Sequence, residues 1–373
     1  MVIRIKPKQK APEKPAEPQI RLVQKPKPPL PGNLKLPPKP PKYHFGGVSP
    51  KPKPVVVESK GAEPPLSQTR VMRKITRDSP PNIPYLRFDA IAGRGGMATV
   101  WRCFHKELKR IVAVKVLDVG FAGTGQDIRQ FMAEVRAMTD INHPGIVHGY
   151  GGDCIDGRYF FIMDYVDGYT FGSLLQRKRR ISQNDALIVC ESVADALGYA
   201  WDRFKIVHCD IKPENIMCDS DGRVKVADLG LCQTTNAIRS GAATEEIVGT
   251  PAYMSPDQIY ADKPLDCRAD IYCLGATLYH LVTGRTLFPL LSPDDTLRAH
   301  VDPESRAPDP RIFNPEISEN FVRLLCHMLA KNQDERCQTW DDILDAAQAV
   351  EEDREILPLQ DGEISSILPQ ANL

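Results

Sequence analysis

The densest concentration of chemically capable side chains runs His208-Cys209-Asp210-Ile211-Lys212-Pro213-Glu214-Asn215, and Asp228-Leu229-Gly230 follows thirteen residues after Asn215. Such a set suits transfer of a phosphoryl group. That reaction has a loose transition state, so a protein contributes positioning and charge neutralisation rather than covalent chemistry. One carboxylate must sit near the incoming hydroxyl, a cation on the γ-phosphate, and oxygen ligands on a hard divalent ion such as Mg²⁺. Asp210, Lys212, and the pair Asn215 with Asp228 could meet those needs. The bland alternative, a polar hairpin rich in caps, does not require all four groups together.

Two upstream stretches carry weaker signals. Gly93-Arg94-Gly95-Gly96-Met97-Ala98-Thr99-Val100 is a Gly-rich turn running into a strand. Glycines let backbone N–H groups approach phosphates, although alone such a hairpin is an ordinary turn. No GK[ST] follows, and a strand stands where a dinucleotide fingerprint needs a helix. Val112-Ala113-Val114-Lys115 ends an apolar alternation, where a Lys alone would simply snorkel into water. Glu134, nineteen residues later, could draw Lys115 inward to grip the α- and β-phosphates.

These groups need a frame, and the hydrophobic pattern supplies one. From Tyr85, YLRFDAIAGRGG predicts a strand entering the Gly-rich turn, with VWRCFH and RIVAVKVLD as two more strands. A helix is expected over 127–138, then short strands around Ile146–Tyr150 and Tyr159–Met163. Beyond Gly168 the pattern is mostly helical. Ser182 with Asp185 suits a helix start, and Leu187, Cys190, Ala194, Leu197 and Trp201 form one stripe behind it. The expected fold is α+β: a small antiparallel-sheet lobe with one key helix over about 82–163, and a larger helical lobe over about 168–350.

The chain has 373 residues with 48 basic and 48 acidic side chains, a balance that hides an asymmetry. Residues 1–60 hold fourteen Lys or Arg against three acids, a net +11 that leaves −11 for the remainder. Eighteen of the 33 prolines fall within residues 1–80, in stretches such as KPKPPLP and PPKPPK. Proline cannot continue a helix or a central strand, so 1–81 is expected to be a disordered Pro/Lys-rich tail. It reads as an inert spacer, or as a docking segment for a Pro-binding or acidic partner, or for its own domain. With Tyr43 and Phe45 its sole aromatics, base stacking and hence nucleic-acid binding are not expected.

No apolar run approaches the roughly 20 residues of a spanning helix, and MVIRIKPKQK makes a poor signal peptide, so no membrane association is expected. The ten cysteines lie between Cys103 and Cys337 with no C-x-x-C pair. Free thiols in the cytoplasm are the expectation. Residues 351–373 form a C-terminal tail, loose over Asp361–Leu373.

Residues 85–350 resemble the eukaryotic-like Ser/Thr protein kinases of the bacterial branch. GRGGMATV, VAVK and HCDIKPEN with DLG occur in order, followed by Gly249-Thr250-Pro251-Ala252-Tyr253-Met254-Ser255-Pro256-Asp257, Asp270-Ile271-Tyr272-Cys273-Leu274-Gly275 and Arg336. The resemblance implies ATP and Mg²⁺ as cofactors and protein substrates. It implies that Asp210 orients the substrate hydroxyl and accepts its proton, with Lys212 on the γ-phosphate. Asn215 and Asp228 would hold magnesium. Gly93, Gly95 and Gly96 would cover the phosphates, and Lys115 with Glu134 would hold them. Adenine would meet backbone at Asp164 and Val166, past Met163 in the gatekeeper position, between Val100, Ala113 and Met217. Asp257 would pair with Arg336, and Asp270 would brace the catalytic loop. Lys212 and Thr250 mark the Ser/Thr branch, in which that Thr contacts the catalytic Asp and Lys.

Ala98, Leu229 and Asp257 depart from the family pattern without removing a catalytic group. A pseudokinase scaffold would be expected to lack Lys115, Asp210 or Asp228, and all three are present. A kinase-fold enzyme acting on a small molecule would lack the GTPAYMSP-type segment. Cys209 is the departure with consequences, because the family's Arg there reads a phosphate on the activation segment, here Leu231 to Met254. Cys209 itself reads as an apolar filler, with a reactive regulatory thiol as the sharper alternative. Activity is therefore expected to depend little on phosphorylation of that segment. Alanine at Thr234, Thr235, Ser240 and Thr244 together should leave turnover within about tenfold of wild type. A hundredfold loss in a transfer assay would overturn this.

Overall fold

The computed structural model describes residues 79–95, 98–117, 125–229, 233–234, 249–354, 356 and 366–368. The expected disordered tail lies outside them as far as residue 78, as do Gly96 and residues 235–248. The alternation read after Tyr85 becomes β1 (Leu86–Arg94), β2 (Ala98–His105) and β3 (Arg110–Leu117). Helix α1 (Gly125–Asp140) spans the predicted 127–138 stretch, and β4 (Gly149–Ile155) and β5 (Arg158–Asp164) complete an antiparallel sheet of order β1-β2-β3-β5-β4.

Because successive side chains of a strand point to opposite faces, the pleat sorts this sequence into two sets. Trp101, Cys103, Val112, Val114, Val116, Phe160 and Ile162 bury together with Ile83 and Leu86 on one face. Val100, Ala113, Lys115 and Met163 share the other, with Val100 opposite Lys115 and Ala113 opposite Met163. Leu117 and Phe161, also on that face, join the core of the larger lobe. A slip of one residue would exchange the two sets and turn Lys115 away from the second lobe.

The strand expected at Ile146–Tyr150 is displaced. β4 begins at Gly149, and Ile146 makes only a single bridge to Val226. Close approach explains the shift. A Cβ on Gly149 would lie 2.6 Å from the Phe161 ring, and one on Gly152 would lie 2.5 Å from the Phe160 carbonyl oxygen.

The larger lobe opens with β6 (Gly168–Thr170), α2 (Phe171–Lys178) and α3 (Gln183–Phe204). β7 (Ile206–Val207), β8 (Ile216–Asp219), β9 (Val224–Val226) and β10 (Gln233–Thr234) follow; β6, β8 and β9 make one small sheet, and β7 with β10 another. Then come α4 (Pro256–Tyr260), α5 (Cys267–Thr283), α6 (Pro293–Val301), β11 (Ala307–Pro308), α7 (Glu319–Met328), α8 (Trp340–Glu351) and β12 (Ile367–Leu368). Ser182 caps α3 as its spacing predicts, accepting from the Asp185 N–H at 3.1 Å. Leu187, Cys190, Ala194 and Leu197 are buried, and Trp201 packs at the edge of the same core. α5 is mostly apolar and buried along almost its whole length, so the other helices assemble around it.

The end of the chain differs from the expectation of a loose tail. β12 pairs in parallel with β11, Ile367 is fully buried, and the Ser366 hydroxyl lies 2.6 Å from the Tyr272 hydroxyl. Two residues of strand are too short for any periodicity to announce them.

Arg336 joins distant parts of this lobe. Its guanidinium donates to Asp257 at 2.7 Å, to the Arg268 carbonyl at 2.6 Å and to the Ala330 carbonyl at 3.0 Å. Its side chain is wholly buried. Removing one partner of a buried ion pair strands the other, so Arg336→Ala should lower unfolding free energy by about 3–5 kcal/mol in urea titrations. Arg336→Lys keeps the charge without the fork and should fall between; an Ala variant within about 1 kcal/mol of wild type would refute the role.

Candidate active site

The loop between β7 and β8 gathers three of the predicted groups around one carboxylate. Asp210 Oδ2 accepts from Lys212 Nζ at 2.7 Å and from Asn215 Nδ2 at 3.0 Å. Its Oδ1 accepts from the Thr250 hydroxyl at 2.7 Å, and that hydroxyl in turn accepts from Lys212 Nζ at 2.8 Å. The Asn215 amide nitrogen also donates to the Asp210 carbonyl at 2.8 Å. With its nitrogen committed twice, the amide keeps Oδ1 as its accepting end. Thr250, predicted to touch both Asp210 and Lys212, does so.

Asp228 stands beside this cluster. The Ala227 N–H donates to the Asn215 carbonyl at 2.9 Å, and the Ala227 carbonyl meets His208 Nε2 at 3.2 Å. Asp228 is held in a left-handed conformation, φ +63°, and its Oδ1 accepts from Lys115 Nζ at 2.5 Å. Its carboxylate is about half exposed, whereas Lys115 is mostly covered. Lys115 is thus drawn to Asp228, whereas the sequence predicted Glu134 as the carboxylate that holds it. The side chain of Glu134, on α1, lies outside the described residues.

A buried acid on α5 sets the backbone of the loop. Asp270 accepts the His208 N–H at 2.6 Å and the Cys209 N–H at 2.8 Å. Burial pushes its carboxyl up to about 6, with His208 and those two N–H groups pulling the other way. On the far side of Cys209, Gln258 Nε2 donates to its carbonyl at 2.7 Å. The Cys209 side chain is itself buried among Val207, Leu265 and Ala269. That is the filler role the sequence suggested.

The residues expected around a nucleotide lie along the inner sheet face and the connection beyond it. Ala113 is buried, while Val100, Met163 and Met217 are part-covered. Gly93 lies in β1 opposite Val100, and the Gly95 N–H donates to the Ala98 carbonyl at 2.9 Å. Neither glycine is demanded by packing: a Cβ on Gly93 would face open space, and one on Gly95 would meet only the Ala98 carbonyl, at 3.5 Å. At the end of β5, Asp164 is tied by Arg110 at 2.9 Å and by the Tyr150 hydroxyl, with its N–H on the His148 carbonyl. Val166 follows in the connection between β5 and β6.

Sequence reasoning missed Gln258 and the contact between the Tyr253 hydroxyl and His280 Nδ1 at 2.7 Å. Ser255 and Gln258 form a capping box for α4, a local signature that could have revealed the helix start. Nothing local shows that the same Gln reaches 49 residues back to Cys209.

Comparison with known proteins agrees with this arrangement. The family described as Protein kinase domain matches residues 86–350. The probable serine/threonine-protein kinase SCO3848 of Streptomyces coelicolor is 35% identical over 258 residues, covering 68% of this chain and 38% of that protein. Serine/threonine-protein kinase PrkC of Bacillus subtilis is 31% identical over 253 residues, with the same coverage of each chain. Serine/threonine-protein kinase PknL of Mycobacterium tuberculosis is 38% identical over 195 residues, covering 52% of this chain and 48% of that one. The chain therefore spans between 38% and 48% of the length of these relatives. By the family match over residues 86–350, and by the order in which its fold presents the matching residues, the chain belongs to the protein kinase family.

Proposed function

We infer that this chain is a Ser/Thr protein kinase, transferring the γ-phosphate of Mg-ATP to Ser or Thr hydroxyls of proteins. The observation that carries the reading is the shared hydrogen-bond set of Asp210, Lys212, Asn215 and Thr250, with Asp228 alongside on Lys115.

The residues present fit the nucleotide and its metal. Gly93 leaves open space where a side chain would stand. Asn215 keeps an amide oxygen for a cation, and Asp228 keeps a half-exposed carboxylate. Bound Mg-ATP supplies the phosphoryl group and screens its charge. Gly93, Gly95 and Gly96 admit the phosphates, and Lys115 holds the α- and β-phosphates, itself steadied by Asp228 and, on this reading, Glu134. Val100, Ala113 and Met217 enclose the adenine, while backbone at Asp164 and Val166 hydrogen-bonds its edge.

Asp210 acts on the acceptor. Thr250 and Lys212 fix its two oxygens, so the carboxylate would meet an incoming hydroxyl in one orientation and take its proton as the hydroxyl oxygen bonds to the γ-phosphorus and ADP leaves with the bridging oxygen. Lys212 neutralises charge on the transferred group, and Asn215 and Asp228 hold the metal. Lys115, Asp210 and Asp228 being all present weighs against a pseudokinase. The domain occupies 82–350, between a tail at 1–81 and a C-terminal tail at 351–373. The ten cysteines are scattered with no C-x-x-C pair in the sequence, which suits a reducing cytoplasm. Among the described residues no helix is long and apolar enough to cross a membrane.

With radiolabelled ATP and a generic basic protein, Asp210→Asn should reduce transfer by about 10²–10⁴-fold, and a chelator of divalent cations should abolish wild-type transfer. Wild type no faster than Asp210→Asn would sink the assignment. We also assign the +11 tail a docking role, on an acidic or Pro-binding partner or on the −11 remainder of the chain. Deleting residues 1–80 should then change salt dependence or partner capture; an unchanged enzyme would make the tail a spacer.

A further inference from the structure

A cavity of about 910 Å³ lies on the larger lobe beside the catalytic loop. Its lining includes Lys178, Arg179, Arg180 and Arg285, and a single carboxylate, Glu214. Among the described residues none of the four cations has a carboxylate within 4 Å. The remainder of the chain beyond residue 60 carries a net −11, so acids are plentiful, yet Glu214 is the one acid in this lining and lies within 4 Å of none of the four.

The cavity is built rather than incidental. α2 and α5 end side by side: Gly284, at φ +72°, comes so near that a Cβ there would lie 2.5 Å from the Arg179 carbonyl oxygen. Glycine is required on both counts. Phe313 then fixes two of the guanidinium groups. Its carbonyl accepts from Arg180, and its ring carries Arg285 stacked 4.7 Å from the centroid. Each guanidinium has five N–H donors, so one such contact leaves several for a ligand.

A plainer reading is that cations simply answer the negative ends of two helices. It accounts for Lys178 in the last turn of α2. It accounts less well for Arg180 and Arg285, which lie beyond their helices and are held by Phe313. The end carbonyls are, besides, already capped: Leu175 by the Arg179 N–H and His280 by the Gly284 N–H, both at 2.8 Å.

Two contacts connect the cavity to the reacting carboxylate. Glu214 lies four residues after Asp210 and adjoins Asn215. His280, another lining residue, hydrogen-bonds Tyr253, three residues beyond Thr250, whose hydroxyl holds Asp210. Burial lowers the His280 imidazole to about 4, so it adds no charge at neutral pH, and the named groups sum to a surplus of cations.

We propose that this cavity receives an anionic side chain of the substrate polypeptide, aspartate, glutamate or phosphoserine, near the acceptor hydroxyl. The proposal rests on the Ser/Thr kinase reading and specifies its substrate class. Charge-assisted hydrogen bonds to guanidinium forks would hold the anion.

The test uses the full chain and Ser-centred peptides in which one Glu, or one phosphoserine, is moved from five residues before the acceptor to five after, in an otherwise uncharged background. At one or two positions the anion should raise kcat/KM by about tenfold or more, mostly through KM. The double variant Lys178→Gln, Arg179→Asn should lose most of that gain while leaving the uncharged peptide unchanged. Asn is chosen because Arg179 sits at φ +67°, which Asn tolerates. A second variant, Arg285→Gln, leaves α2 untouched and should act in the same direction. Preference for phosphoserine alone would assign the cavity to phosphorylated substrates, and equal preference to acidic ones. No favoured position, or a gain that survives both variants, overturns the proposal. Binding of the same peptides, followed by fluorescence anisotropy, separates the two readings. Anion-dependent binding without transfer to any peptide would support the cavity and defeat the kinase assignment; transfer without any anion preference would do the reverse.

Discussion

One residue in an unfavourable backbone conformation anchors the chemistry. Cys209 sits at φ +67°, a region that costs a side-chain-bearing residue about 1–2 kcal/mol. It stays there because both flanking peptides are held: its N–H by Asp270 and its carbonyl by Gln258. The neighbouring carboxylate of Asp210 is thereby presented to Thr250 and Lys212. Asp270 bears a cost of its own. Burial lifts its carboxyl from an ordinary 3.8 to about 6, so the unfolded chain ionises first. Its contribution to stability is full below the unfolded value and declines as pH rises through about 6. At neutral pH the molecule keeps a buried charge that weakens the fold and orders the loop, a compromise expected at working sites rather than in cores.

How legible this was depended on distance along the chain. The Asp210 cluster could be read because its members lie within a few residues and each side-chain type has one plausible office. The cap at Ser182 and the stripe behind it were equally local. Lys115 needed a sheet to reach Asp228, 113 residues on, and the sequence, which paired it with Glu134, gave no sign of that meeting. Gln258 could not have been found at all, since its contact is with a carbonyl, and every residue has one. The misplaced start of β4 has a different origin. Apolar residues mark strands that bury side chains, whereas β4 lies close to its neighbour by omitting them at Gly149 and Gly152. Pattern reading is blind to a strand made by subtraction.

The two lobes divide the labour accordingly. The sheet holds its own apolar layer on one face and offers the other to whatever lies between it and the helices, so Val100, Ala113 and Lys115 need no local support. The larger lobe does the opposite: α5 runs through its middle, and Asp270 and Tyr272 on that helix reach the catalytic loop and the C-terminal strand respectively. The Tyr272 ring also lies 5.2 Å beneath the Arg336 guanidinium. One buried helix therefore keeps the active loop, the segment that follows it and the end of the chain in register.

The pairing of β12 with β11 has a consequence for how the molecule is born. The Ala307 N–H and the Leu329 carbonyl both hydrogen-bond Ser366, and the Tyr272 hydroxyl meets its hydroxyl. Everything those groups belong to is synthesised earlier. Until residues 366–368 have been made, β11 lacks the strand it pairs with in the folded lobe, and an exposed strand edge invites the wrong neighbour. Closure of that edge waits for Ile367, sixty residues beyond the Ala307 it pairs with.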